Sequence, residues 1–147
     1  MAKIIAVCSS DRKGIRKSPV DSAVFESGVG LVGDAHAGGE IIREVSLLAM
    51  ESIAKMNNEG YAFKSGDFAE NLTTSGIDLV SLPIGTRLQV GQEVILEVTQ
   101  IGKKCHTNCA IFKEVGKCIM PKEGIFARVV QGGVVRADDA LSILQQH

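Results

Sequence analysis

A mainly β fold, closed or nearly closed into a barrel, is what this 147-residue sequence predicts, and three observations predict it. Apolar and polar residues alternate with period two along most of the chain, as on half-buried strands. The 16 glycines punctuate those stretches at short intervals, which suits tight connections between short strands. Helical periodicity is confined to one segment, whereas a parallel α/β sheet needs a helix for each crossover.

In chain order, "KIIAVCSS" (3–10) and "VDSAVFES" (20–27) read as strands, separated by a polar basic loop with Gly14 and Pro19 as punctuation. "REVSLLA" (43–49) continues as a strand. From about Met50 the pattern changes: Met50, Ile53 and Ala54 share one helical face and Gly60 is a natural stop, giving one clear helix. "ENLTTSGIDL" reads as strand and turn, and short extra helical turns, at no assigned place, are expected beside the one clear helix. "TRLQV", "EVILEVTQI", "IFARVVQ" and "VVRADDALSIL" alternate as strands, joined in part by the tight connections "VGQE" and "QGGV". No repeat, low-complexity tract or linker interrupts the chain, so residues 1–147 form a single domain.

Composition narrows the function classes. Hydrophobic residues make up 45% and charged residues 22%, the balance of a soluble globular domain. The longest apolar runs fall far short of the roughly 20 residues that cross a bilayer, and "MAKIIAVCSSDRKG" lacks a signal peptide's apolar stretch. A cytoplasmic protein without membrane association is expected. A net charge of -1, six aromatic residues and no tryptophan argue against nucleic-acid binding. Charge is nevertheless uneven: residues 101–122 hold five lysines and one acid, and "DRKGIRK" (11–17) four basic residues and one acid. Were these patches to meet, they would suit a phosphorylated small molecule.

"GVGLVG" (28–33) matches the glycine spacing of a dinucleotide fingerprint, which works only where a helix N-terminus follows. "DAHAGGE" comes next and has no helical periodicity, so the run reads as a turn approaching Asp34 and His36. Three stretches concentrate chemistry. In "GDAHAGG", Asp34 and His36 can orient each other or a ligand, or simply pin a loop. In "GDFAENLTT", Asp67, Glu70 and Asn71 stand among apolar residues, where a turn closing on itself through side-chain hydrogen bonds competes with a functional role. In "GKKCHTNCAI", Lys103, Lys104 and His106 flank Cys105, and positive neighbours favour the nucleophilic thiolate. Cys105, Cys109 and Cys118 with His106 or His36 could instead form a structural zinc site, and Cys105 with a histidine base a hydrolase. Cys8, in an apolar strand, reads as buried and inert.

Taken in order, "SSDRKGIRKSPV", "GLVGDAHAG", "REVSLLAMESI", "GDFAENLTTSGIDL", "LPIGTRLQVG", "TQIGKKCHTNCAI" and "GKCIMPKEGIFARVV" resemble the stand-alone MOSC domains, the family named after the C-terminal domain of molybdenum cofactor sulfurases. The resemblance implies a β-barrel of the pyruvate-kinase barrel kind and a site around one cysteine, matched here by Cys105. That thiol would carry persulfide sulfur from a pyridoxal-phosphate cysteine desulfurase or ligate molybdenum. Asp34 and His36 match the family's GD-x-H element, Arg43 its basic strand start, and Glu70 and Asn71 its EN element. Lys13 matches a basic position in the N-terminal loop. With Lys104, these residues are implied around the pterin and phosphate of molybdenum cofactor or a precursor. Implied partners are that desulfurase or other cofactor-biosynthesis proteins. Lys104 stands where larger cofactor-holding members tend to have proline, so an enzyme of sulfur transfer or cofactor-dependent chemistry and a non-catalytic carrier or scaffold both remain open.

Overall fold

The computed structural model describes residues 2–10, 17–34, 44–68, 70–102 and 123–144. Eleven strands and one α-helix make up the described regular structure, together with a 3-10 turn at Leu79–Ser81. The strands are β1 (Lys3–Ser9), β2 (Ser18–Val20), β3 (Ser22–Glu26), β4 (Gly30–Leu31), β5 (Val45–Ala49), β6 (Leu72–Ser75), β7 (Arg87–Val90), β8 (Val94–Ile101), β9 (Ile125–Gln131), β10 (Gly133–Arg136) and β11 (Leu141–Ile143). The helix α1 (Met50–Asn57) lies between β5 and β6.

The mainly β expectation holds, but the described strands do not close into a barrel. They form an eight-stranded sheet in the order β11-β7-β8-β9-β5-β6-β1-β2 and a three-stranded sheet in the order β10-β3-β4. Closure would require β11 to run along β1. The two meet through a single bridge, Lys3 to Ala140, supported by Ile4 N–H to Asp139 O (2.8 Å), Asp138 N–H to Ile4 O (2.7 Å) and Leu141 N–H to Ala2 O (3.1 Å). Further along β1, β2 pairs at Val7–Ser9 and leaves β11 no edge to continue on.

Two stretches that alternate as continuous strands are each divided between the sheets. The stretch 20–27 breaks at Asp21, leaving Val20 at the end of β2 in the large sheet and residues 22–26 as β3 in the small one. "VVRADDALSIL" breaks at 137–140, where Asp138 is the one described non-glycine residue with positive φ (73°). "GVGLVG" forms the β3–β4 connection, with Gly28, Gly30 and Gly33 all at positive φ. Gly30 is obligatory on space as well, since a Cβ there would collide with the carbonyl oxygen of Glu44.

Period two accounts for the core. Val45, Leu47 and Ala49 of β5 face the main cluster with Ile4, Leu72, Leu96 and Ile125, while Leu48 faces the other way. Burying both faces of β5 requires a cover, and α1 supplies it: Ile53 and Met56 pack with Leu48, Phe68 and Phe126 in a second cluster. The helix also spans the connection between β5 and β6, which run parallel. Asn57 closes its end by accepting the Phe63 N–H (2.7 Å) and donating to the Phe63 carbonyl (3.0 Å). In β1 the register slips between Ile4 and Ala6, so Ile4 and Val7 both reach the main core despite their odd spacing. Cys8 is left on the opposite face, toward Gly66.

Candidate functional site

The C-terminal end of β1 lies beside the N-terminal ends of β5 and β6, because β1 is antiparallel to β6 and β6 is parallel to β5. Asn71, just before β6, ties all three together. Its backbone N–H donates to Ser46 O (3.0 Å) and Ser46 Oγ (2.9 Å), and its Oδ1 accepts from the Ser46 N–H (3.0 Å) and Oγ–H (3.2 Å). On the other side Nδ2 donates to Cys8 O (3.2 Å), while Cys8 N–H donates to Asn71 O (2.7 Å). The amide side chain thus extends the sheet's hydrogen bonding where the strands begin.

Glu70 is fully buried. Its carboxylate accepts from Gly66 N–H (3.0 Å), Phe68 N–H (3.3 Å) and the Thr73 hydroxyl (2.8 Å). Asp67 accepts from Lys64 N–H (3.0 Å), so carboxylates close the turn at 65–68 and tie it to Thr73 of β6. Burial pushes the Glu70 carboxyl above its ordinary range, against the pull of these hydrogen bonds. Cys8 shares the pocket, and its thiol is pushed up to about 12, first by burial and then by the negative charge of Glu70, with Lys17 acting in the opposite sense. Such a thiol is neutral and unreactive at physiological pH.

Asp34 ends the short run after β4 and is buried against Lys17. The Lys17 ammonium lies 2.8 Å from Asp34 Oδ1 and 3.1 Å from Ser10 Oγ. The same Oδ1 accepts the Ser10 N–H (3.0 Å) and the Ser9 hydroxyl (3.3 Å). Lys17 N–H in turn donates to Gly66 O (2.7 Å). Gly66, at φ 88°, admits no side chain, because a Cβ would collide with the Lys17 carbonyl. A continuous chain of contacts therefore runs from Ser10 through Asp34, Lys17 and Gly66 to Glu70 and Thr73.

Of the sequence-predicted site residues, the structure brings Asp34, Glu70 and Asn71 into this one neighbourhood. Lys13, His36, Arg43, Lys104 and Cys105 lie outside the described residues, as do His106, Cys109 and Cys118. The zinc alternative rests on those residues; among the described ones, no three His, Cys, Asp or Glu side chains cluster as metal ligands. Lys17 was missed as an individual, since it is the last of four basic residues in 11–17 and nothing local separates it from the rest. Glu44 was missed too: its buried carboxylate accepts the Val129 N–H (2.8 Å). A cleft of about 460 Å³ lies elsewhere, beside α1, where Glu123 meets Ser52 (2.9 Å) and Lys55 (2.5 Å). None of the three described candidate residues lines it.

The model of the family described as "MOSC domain" matches residues 33–142, well over half of the chain. The chain belongs to the MOSC domain family. The match takes in Asp34, Glu70, Asn71 and Cys105 and leaves β1, β2, β3 and β4 ahead of it. No protein of curated function matches the sequence significantly. Among solved structures, this MOSC domain is similar to the YuaD protein from Bacillus subtilis, with 19% identity, a TM-score of 0.79 and coverage of 95% of this chain and 93% of that one. It is also similar to YiiM from Geobacillus stearothermophilus, with 20% identity, a TM-score of 0.76 and coverage of 99% and 76%. For YiiM from Escherichia coli the values are 20%, 0.67, 100% and 71%. At such identities the likeness is one of fold. Among the described residues, no helix of the MOSC domain is long and apolar enough to cross a membrane.

The family is associated with molybdenum cofactor sulfurase-like proteins, which raises the fit of the described residues to a pterin phosphate. Asp34, Glu70 and Asn71 do not fit as contacts to it. Their side chains are buried, and their polar atoms are turned to partners within the chain. What they do is brace the strand ends.

The two raised groups set a pH dependence. Both have folded values above their unfolded ones, so each favours the fold most at low pH and its contribution is lost as pH rises through the folded value. For Glu70 the loss starts near 4.5; for Cys8 it runs from about 9.0 to about 12. Urea denaturation across pH is expected to show Glu70→Gln removing the first decline and Cys8→Ala the second. A Cys8→Ala profile parallel to the parent's between those alkaline limits would contradict this placement.

Proposed function

We propose that this MOSC domain acts in molybdenum cofactor metabolism, binding molybdenum cofactor or a precursor, with Cys105 as its sulfur-handling or molybdenum-facing thiol. The observation that supports the reading is the family match over residues 33–142, which includes Cys105 within a segment of five lysines. Lys13, Arg43 and Lys104 are the basic groups assigned to offset the charge of the bound phosphate, since the buried acidic residues cannot do so. As a sulfur carrier, the Cys105 thiolate attacks the terminal sulfur of a donor cysteine persulfide. The donor thiolate leaves, and Cys105 holds the sulfur as its own persulfide. A pyridoxal-phosphate cysteine desulfurase is the partner this chemistry requires, in the cytoplasm.

A single-turnover assay with a cysteine desulfurase and sulfur-labelled cysteine tests the proposal. The parent is expected to take up about one label per chain, and Cys105→Ala to lose at least nine-tenths of it. Equal labelling of both would sink the carrier role. A parent that takes up no label yet copurifies with pterin and molybdenum would favour a cofactor carrier or scaffold. Zinc in stoichiometric amount would favour the structural-metal alternative.

A further inference from the structure

We infer that the outer face of the three-stranded sheet is an association surface, and that its occupant is the same face of a second copy of this chain. Ala23, Phe25, Leu31 and Val135 turn inward to the main core. Ser22, Val24, Glu26, Val134 and Arg136 alternate with them and are exposed on the other side. Register sets the apolar ones among these in one row. Val134 stands opposite Val24 on β10. On the β4 side Phe25 pairs with Leu31, so Val32 comes opposite Val24, and its N–H donates to Val24 O (2.9 Å). Val134, Val24 and Val32 are 41%, 50% and 47% exposed, so three adjoining valines cross the face at right angles to its strands. On a sheet face turned to water those positions ordinarily carry polar side chains.

The β10 edge of this sheet is not open to a further strand. Its outward amides are already taken by carboxylates: Val134 N–H donates to Glu93 Oε2 (3.3 Å) and Arg136 N–H to Asp139 Oδ2 (2.8 Å). A partner therefore packs on the face. The charges flanking the row identify that partner. Arg136, opposite Ser22, lies two residues beyond the row in one direction, and Glu26 lies two residues beyond it in the other. A twofold axis along the row sets each valine on its own counterpart and turns the Arg136 end of one copy over the Glu26 end of the other. Because β10 and β3 are neighbours, the opposed charges are offset by one strand spacing, about 4.8 Å, which two long side chains span. Such a contact is self-complementary and closes as a dimer. Three strands of about five residues present roughly 250 Å² per copy. Twice that area is well below the roughly 1,200–2,000 Å² of a stable interface, so the dimer is weak and half formed on the order of 100 µM.

Sedimentation equilibrium of the full chain from about 10 µM to about 1 mM tests this, and the parent's mass is expected to rise from monomer toward dimer across that range. Val24→Lys, at the centre of the row, is expected to stay monomeric with a parent-like melting temperature. Glu26→Arg and Arg136→Glu each turn two symmetry-related attractions into repulsions and are expected to weaken association at least about fivefold. The double variant Glu26→Arg/Arg136→Glu exchanges the charges and is expected to associate as the parent does. A parent that stays monomeric throughout overturns the inference and leaves the face to a different protein. Association that survives Val24→Lys overturns the choice of face. Association that the double variant does not recover overturns the twofold arrangement. Should Val24→Lys melt far below the parent, the charge series, at two exposed positions, decides alone.

Discussion

Lys17→Met alone is expected to lower the folding free energy by about 3–5 kcal/mol, the cost of breaking a buried ion pair by removing one partner. For a chain of this length that corresponds to a drop of roughly 10 °C in melting temperature. The asymmetry between single and double replacement is the informative part. Lys17→Met takes the ammonium from beside the buried Asp34 Oδ1, which also accepts the Ser10 N–H and the Ser9 hydroxyl. Asp34→Leu takes the carboxylate from beside the buried ammonium, which also donates to the Ser10 hydroxyl. Removing both charges removes both penalties, so the double variant should recover most of the loss. Thermal or chemical denaturation of the three variants measures it. Additive losses in the double variant would mean that each side chain contributes independently and that the pair is not a unit.

Asn71→Ala is the second large effect, also about 3–5 kcal/mol. It deprives the Ser46 N–H and hydroxyl of their shared acceptor and the Cys8 carbonyl of a donor, all in a buried setting. Each buried polar group left without its partner costs about 1–3 kcal/mol. Asn71→Asp is the discriminating control. It restores the acceptor for Ser46 but sets a charge against the Cys8 carbonyl and next to the buried Glu70 carboxylate, so it should be no better than alanine. Urea denaturation at neutral pH checks both. An Asn71→Ala protein as stable as the parent would mean that water replaces the amide, and that the meeting of β1, β5 and β6 is less dry than its burial indicates.

How legible the site was in the sequence differs residue by residue. The Glu70–Asn71 pair stood out because polar residues between apolar ones on a strand approach need a reason. The reason lies in contacts that spacing cannot reveal. Asn71 reaches Ser46 at a sequence separation of 25 and Cys8 at 63. Glu70 was open to a turn-closing or a ligand-binding role, and its hydrogen bonds to Gly66 and Phe68 are those of a turn closing on itself. Lys17 carried no local mark at all, since its burial follows from Asp34, 17 positions away. The fold divides in the same way. Alternation gave most of the strands and the helix start at Met50, but it ran straight through Asp21 and residues 137–140, where the chain changes sheet. A change of sheet alters which neighbours a strand pairs with and leaves its period intact.

By itself, then, the sequence determined the mainly β class, the helix that starts at Met50, the glycine turn at 28–33 and family membership legible in an ordered set of motifs. These are consequences of local sterics and of side-chain period, which each short segment carries within itself. Only the tertiary structure decided that the described strands leave the large sheet open, that Cys8 faces Glu70, and that Asp34 is held by Lys17. Those outcomes depend on which distant segments exclude water from one another. Burial then decides whether a lysine and an aspartate are two solvated charges or one fixed joint.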